Sequence, residues 1–281
     1  MRNPQKILVI VGPTSSGKSA LAVKLAKKRN GEIISADSRQ VYKGLDIGTG
    51  KVTSAEMAGV RHHLLDVCSP KKVFTAHDFV TQAQRAIADI TRRGKLPIIC
   101  GGTGFYIDTL LGRVAVGDAP PNLTLRKHLS DKSAGLLLAI LKKRDPRRAE
   151  AMNESDRKNP VRLIRAIELV RSRKLSPRKV TAPGIENNPM LFPSHGYKIA
   201  SSYAQEWIGI RPDMEKLRAK ILARLLARMK RGMIAESKRL HTSGLSYKRM
   251  EELGLEYRSL AHYLQGRITK EEMLGELEAK I

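Results

Sequence analysis

From Lys6 the chain runs KILVIV, an apolar and largely β-branched stretch stopped by Gly12. After a loop of small residues, SALAVKLAKKRN sets Leu21, Ala22, Leu25 and Ala26 on one helical face. GEIISAD (31–37) reads as a second strand and KLPIICGG (95–102) as a third. Between them Thr75 and Asp78 form a capping box for a helix whose apolar positions, Phe79, Val80, Ala83, Ala86, Ile87 and Ile90, follow helical spacing. Strands alternating with helices predict a parallel, doubly wound sheet with ligands beyond the carboxyl ends of its strands.

From about Pro120 to Pro177 the pattern is helical without a convincing strand, and SPRKVTAPGIENNPMLFPSHG (176–196) is Pro/Gly-rich and loop-like. YKIASSY (197–203) is expected to return the chain to the sheet. A long helix from Asp213 to about His241 then presents Leu217, Ile221, Leu225 and Met229 to the core, and a last helix opens on the Thr269/Glu272 capping box. The predicted organisation is 1–119, the first part of a core; 120–195, an inserted all-helical domain; and 196–281, a mainly helical return to the core.

Charge changes this picture most. The chain carries 52 Lys+Arg against 27 Asp+Glu, a net +25 with a pI near 10.3, which points to a polyanion partner. The excess is concentrated: Arg126 to Lys179 holds 17 basic and 6 acidic residues. With 281 residues the chain is long enough to bury an ordinary core. Its 2 cysteines, Cys68 and Cys100, sit in apolar surroundings, which argues against a disulfide framework and for a reducing compartment with both thiols buried. The first residues hold no secretory signal and no apolar run reaches membrane-spanning length, so a soluble, cytoplasmic protein is expected.

GPTSSGKS (12–19) carries the chemistry most plainly, matching the pattern Gly, four residues, Gly, Lys, Ser or Thr. Gly12, Pro13, Thr14, Ser15, Ser16 and Gly17 shape a loop whose backbone N–H groups cradle phosphates; Lys18 neutralises them and the Ser19 hydroxyl reaches Mg²⁺. Placed between a strand and an amphipathic helix, the motif predicts an α/β, P-loop NTPase-like doubly wound parallel sheet with an inserted all-helical domain. Asp37 falls at the carboxyl end of the second strand, suited to bind Mg²⁺ through water, to act as general base, or simply to cap a turn. CGGTGFY (100–106) brings Thr103 to the same cleft on a glycine turn. The adjacent histidines of RHHLLDV (61–67) point to opposite sides of a strand without a suitably spaced cysteine, which favours packing or a structural hydrogen bond over zinc. Arg224, on a late helix, reaches the cleft to bind a leaving group or stays solvated.

Together GPTSSGKS, ADSRQVYKGLDIGTGK, HHLLDV, FTAHDF, PIICGGTGFYIDTLL and DRKNPVRLIRAIEL, in this order along nearly the whole chain, resemble the bacterial tRNA dimethylallyltransferases. The resemblance implies transfer of a dimethylallyl group from dimethylallyl diphosphate to N6 of the adenosine next to the anticodon, in tRNAs reading codons that begin with U, with release of pyrophosphate. It implies Asp37 as general base, Thr103 beside the substrate adenosine, and Lys18 with the loop and Mg²⁺ on the diphosphate. It also implies tRNA contacts at Asp37, Ser38, Arg39, Gln40, Thr103, Arg126, Val161, Arg162, Leu163, Ile164 and Arg165. The expected protein is a monomer, with ATP as another occupant of the loop.

Three departures accompany the resemblance. The chain ends at Ile281, where members continue through a segment containing Lys, Arg or Gln and Trp or Phe, so a truncated or missing terminal element is expected. The tyrosine of ELGLEYRSLAHYLQG is displaced, and Lys220 stands where the first of two arginines is expected. Rival readings are a P-loop small-molecule kinase or ATPase, which leaves the basic insert unexplained, an enzyme prenylating free adenine nucleotides, and a basic RNA-binding module with a structural phosphate site.

Overall fold

A computed structural model describes residues 5–114, 122–175 and 203–280. The chain divides into two compact units, Met1–Ala115 with Tyr197–Ile281, and Val116–Gly196.

The first unit begins with β1 (Gln5–Val11), α1 (Lys18–Lys28), β2 (Gly31–Ser35), α2 (Ser54–Met57), β3 (His62–His63), α3 (Ala76–Arg92), β4 (Leu96–Gly101) and α4 (Gly104–Leu110). Its five strands, including β5 (Tyr203–Gly209) later in the chain, form a parallel sheet in the order β3-β2-β4-β1-β5. Strand side chains alternate between two buried faces, as a sheet covered on both sides requires. Leu8, Ile10, Ile33, Ile98 and Cys100 pack against Ala22, Val23 and Ala26 of α1. Ile7, Val9, Ile34 and Ile99 pack on the opposite side with Phe79, Val80, Ala83, Ile87 and Ile90 of α3. The α3 capping box forms as its spacing predicts: the Thr75 hydroxyl accepts from the Asp78 N–H at 3.2 Å and the Asp78 carboxylate accepts from the Thr75 N–H at 2.8 Å.

Two expected elements are corrected. The strand that returns to the sheet is Tyr203–Gly209, not 197–203, of which 197–202 lie outside the described residues. Among the described residues it pairs with β1 alone, as an edge, and its YAQEWIG alternation reads less clearly than the apolar runs of the inner strands. The expected long helix is two helices, which follow the second unit's α5–α9 in chain order: α10 (Met214–Lys230) and α11 (Met233–Thr242). They break at Gly232, whose φ of +99° lies in the left-handed region that glycine tolerates. Leu217 and Leu225 are buried as expected, while Ile221 and Met229 are half-buried, and Met233 after the break enters the core. The unit ends with α12 (Tyr247–Glu252), α13 (Leu255–Leu264) and α14 (Lys270–Lys280). The Thr269/Glu272 box caps α14.

The second unit is helical: α5 (Leu123–Leu129), α6 (Ala134–Arg144), α7 (Pro146–Glu150), α8 (Glu154–Arg157) and α9 (Pro160–Leu175). Leu125, Leu129, Leu137, Leu141, Leu163 and Ile167 form its core. The buried Glu168 accepts from the Asn122 N–H at 2.9 Å, from Arg126 at 2.7 and 2.9 Å, and from Arg165 at 3.1 Å. Burial opposes its charge, yet the guanidiniums of Arg126 and Arg165 hold its carboxyl below the usual range. No described helix is long and apolar enough to cross a membrane.

Candidate active site

The loop after β1, the turn after β2 and the turn after β4 all line one cleft of about 760 Å³ in the first unit. That volume falls in the range of small-molecule sites, roughly 300–1,000 Å³. Thr14, Ser15, Gly17, Lys18 and Ser19 form its phosphate-loop wall, which leads into the N-terminus of α1. Unpaired N–H groups and the helix dipole make such an end attractive to anions. Lys18 Nζ donates to the Pro13 carbonyl at 2.7 Å, and burial pulls its pKa below the usual lysine value. The Ser16 hydroxyl is buried with no hydrogen-bond partner among the described residues. Arg224 reaches this wall: its Nη1 donates to Ser15 Oγ at 3.1 Å. Lys220 and Arg228, each four residues away along α10, line the same side of the cleft.

Asp37 is pinned in the same lining, close enough to Lys18 to interact with its charge. Its Oδ1 accepts from the N–H groups of Arg39 at 2.8 Å and Gln40 at 3.3 Å, and Oδ2 accepts from Gln40 Nε2 at 3.3 Å. A carboxylate offers about four acceptor positions, so one remains for a ligand proton. The turn-capping and chemical roles weighed from the sequence are therefore compatible in one side chain. Thr103 joins Asp37 through the backbone: its Oγ1 accepts from the Ser38 N–H at 3.0 Å, and its N–H donates to the Ala36 carbonyl at 3.1 Å. With that oxygen already accepting, the Thr103 O–H is left to donate into the cleft. Gly101 sets this junction, because a Cβ there would lie 2.1 Å from the Ala36 carbonyl oxygen. Ser38, Arg39 and Gln40 line the cleft as well, and Cys100 lies at its floor, where burial pushes the thiol up to about 11 and keeps it protonated near neutral pH.

The two histidines make the structural hydrogen bonds expected of them. His63 Nε2 lies 2.8 Å from Glu32, while His62 Nδ1 bonds the Val60 carbonyl at 2.9 Å and its ring borders the cleft. Cys68 differs from expectation in being only half-buried, beside the surface loop that follows it; neither cysteine is paired.

In the helical unit the expected RNA contacts separate. Val161 and Arg162 are exposed, whereas Leu163 and Ile164 are buried in the unit's core, so their side chains hold α9 in place instead of facing a ligand. Arg126 and Arg165 remain partly exposed while bound to Glu168.

One wall was missed from the sequence. The loop carrying Thr49 and Gly50 into the cleft hangs on the buried Glu236 of α11. Its Oε2 accepts from the N–H groups of Asp46 at 3.0 Å and Ile47 at 2.7 Å, and its Oε1 from the Gly48 N–H at 2.9 Å and the Tyr257 hydroxyl at 2.6 Å. Arg228 adds a bond to the Gly48 carbonyl at 2.6 Å. The signal was there: Met233, Glu236, Ser237 and Leu240 make one buried stripe in which a carboxylate occupies an apolar position. Glu236→Gln turns an amide NH₂ toward these N–H donors, so unfolding stability should fall by about 1–3 kcal/mol. An unchanged denaturant midpoint at constant m would contradict this network.

A family model described as IPP transferase matches residues 40–281. The chain belongs to the IPP transferase family. It is 40% identical over 275 residues to the tRNA dimethylallyltransferase 1 of Geotalea uraniireducens, covering 98% of this chain and 84% of that protein. It is 42% identical over 265 residues to the tRNA dimethylallyltransferase 2 of Treponema denticola, covering 94% and 83%. Its structure resembles the crystal structure of the full-length tRNA isopentenylpyrophosphate transferase of Bacillus halodurans, with a TM-score of 0.66, 32% identity and coverage of 98% of this chain and 82% of that one. The IPP transferase match begins at Gln40, yet the cleft combines residues on both sides of that point, from Thr14 to Glu256.

Proposed function

We propose that the protein transfers a dimethylallyl group from dimethylallyl diphosphate to N6 of the adenosine next to the anticodon of tRNA and releases pyrophosphate. The observation that carries this reading is that one cleft holds the phosphate loop on one wall and the Asp37–Thr103 pair on another. A diphosphate and a nucleobase can thus meet in it. The names of the relatives, tRNA dimethylallyltransferases, support the same donor and acceptor. The basic composition of the helical unit supports an RNA partner.

In the reaction the bond between the allylic carbon and the diphosphate oxygen breaks, its electron pair leaving with pyrophosphate, and a bond forms from that carbon to N6. The adenine amine is a weak nucleophile, because its lone pair is delocalised into the ring. The barrier is therefore lowered on the leaving-group side, by loop N–H groups, Lys18 and Arg224 stabilising the charge that develops on pyrophosphate. Asp37 takes the proton lost by N6 through its remaining acceptor position, and Thr103 donates a hydrogen bond that orients the base.

No cluster of three metal-ligating side chains occurs among the described residues, but the cleft offers hard oxygen donors in Ser19 and Asp37. That donor set suits Mg²⁺, which takes one or two protein oxygens and completes its shell with phosphates and water. When bound, Mg²⁺ supplies further neutralisation of the diphosphate. The reading includes a cytoplasmic monomer in which ATP competes for the same loop; the two free cysteines support a reducing compartment.

Release of pyrophosphate tests the reading. It should require dimethylallyl diphosphate and unmodified tRNA together. ADP released from ATP alone would favour a kinase or ATPase, and turnover with free adenine nucleotides would move the acceptor from tRNA to small molecules.

A further inference from the structure

The chain has four phenylalanines, and those among the described residues behave unequally. Phe74 and Phe79 are 8% and 0% exposed, whereas Phe105 is 55% exposed. Its position explains the difference. Phe105 follows Thr103 by two residues at the start of α4. Tyr106 turns inward, with its ring stacked on Phe79 at 4.4 Å and its hydroxyl donating to the Phe74 carbonyl at 3.3 Å. One residue along a helix rotates the side chain by about 100°, which directs Phe105 away from that core. The solvent side of the turn is open: a Cβ at Gly104 would meet nothing within 4 Å, and one at Gly102 would meet only the end of Lys18 at 3.9 Å.

Leaving a phenylalanine in water forgoes much of the burial that would otherwise stabilise the fold. Here it stands two residues from Thr103, which lines the cleft together with the cations Lys18, Arg39 and Arg224. A flat aromatic face exposed at the edge of a cation-bearing cleft is suited to single-stranded nucleic acid, whose bases stack while the cations meet phosphates.

We propose that Phe105 is a stacking platform for a nucleobase of the tRNA loop adjoining the adenosine that enters the cleft. This rests on the tRNA-prenylation reading of the same cleft. Extruding the target base breaks its stack and uncovers the faces of its neighbours. The Phe105 ring replaces one of these lost stacking partners, so that its contribution appears in RNA affinity and not in donor affinity.

The test measures binding of a fluorescent, unmodified anticodon stem–loop RNA by anisotropy, and of dimethylallyl diphosphate by calorimetry. Phe105→Ala should weaken RNA binding by about tenfold to a hundredfold and leave diphosphate binding unchanged. Phe105→Trp should retain RNA affinity, while Phe105→Leu, apolar but without a flat π face, should lose most of it. Full affinity in Phe105→Ala, or rescue by Leu as well as Trp, would overturn stacking; so would parallel losses of RNA binding, donor binding and thermal stability. A wild-type protein that fails to prenylate this RNA refutes the underlying reading, whereas a wild type that prenylates it with Phe105→Ala unaffected refutes only the platform.

Discussion

Replacing Asp37 with asparagine is expected to slow prenyl transfer by about 10²–10⁴-fold while tRNA binding stays close to wild type. The asparagine oxygen still accepts from the Arg39 and Gln40 N–H groups, so the turn is kept. What is lost is a base able to take the N6 proton. Asp37→Ala should cost more than Asp37→Asn, because it also removes both turn hydrogen bonds, to the Arg39 and Gln40 N–H groups. Single-turnover rates at saturating tRNA separate the two effects. An asparagine variant with wild-type rates would remove Asp37 from the chemistry and leave it a turn residue.

The second large effect is expected at Lys18. Lys18→Met should reduce kcat/KM for dimethylallyl diphosphate by about 10²–10³-fold, the usual cost of deleting one stabiliser of developing negative charge. Arg224→Ala acts on the same leaving group, and Arg224 already touches Ser15 of the loop. The double variant should therefore lose less than the product of the single losses. A strictly multiplicative double variant would place the two cations on separate functions. Burial also sets a pH signature. A lysine with a lowered pKa loses its charge at a lower pH than usual, so kcat/KM for the donor should fall on the alkaline side earlier than for an unperturbed lysine. Lys18→Arg should push that limb upward.

The elements that position this chemistry were legible where a short-range rule decides them. The phosphate loop, the inner strands and the Thr75/Asp78 box each depend on residues close in sequence and came out as the pattern indicates. Asp37 and Thr103 could be placed in one cleft because a parallel sheet brings the ends of its strands together. Local reading failed where tertiary context decides. β5 is an edge strand that tolerates Gln205 and Glu206 and so lacks a clean apolar run. Gly232, lying between two amphipathic segments of similar character, divides a stripe that otherwise reads as continuous. Leu163 and Ile164 sit beside exposed Val161 and Arg162 in sequence, yet helical rotation sends them into the core. Glu236 meets the 46–48 backbone only across about 190 residues of chain, a partnership no local window contains.

The proposed reaction discards the phosphates held by this loop and transfers a carbon. Mass spectrometry of unmodified tRNA incubated with the protein, Mg²⁺ and dimethylallyl diphosphate reads that directly. A five-carbon addition is expected on one adenosine of the anticodon loop, matched by released pyrophosphate and abolished in Asp37→Asn; an unmodified adenosine, or a phosphorylated product in its place, would refute prenyl transfer.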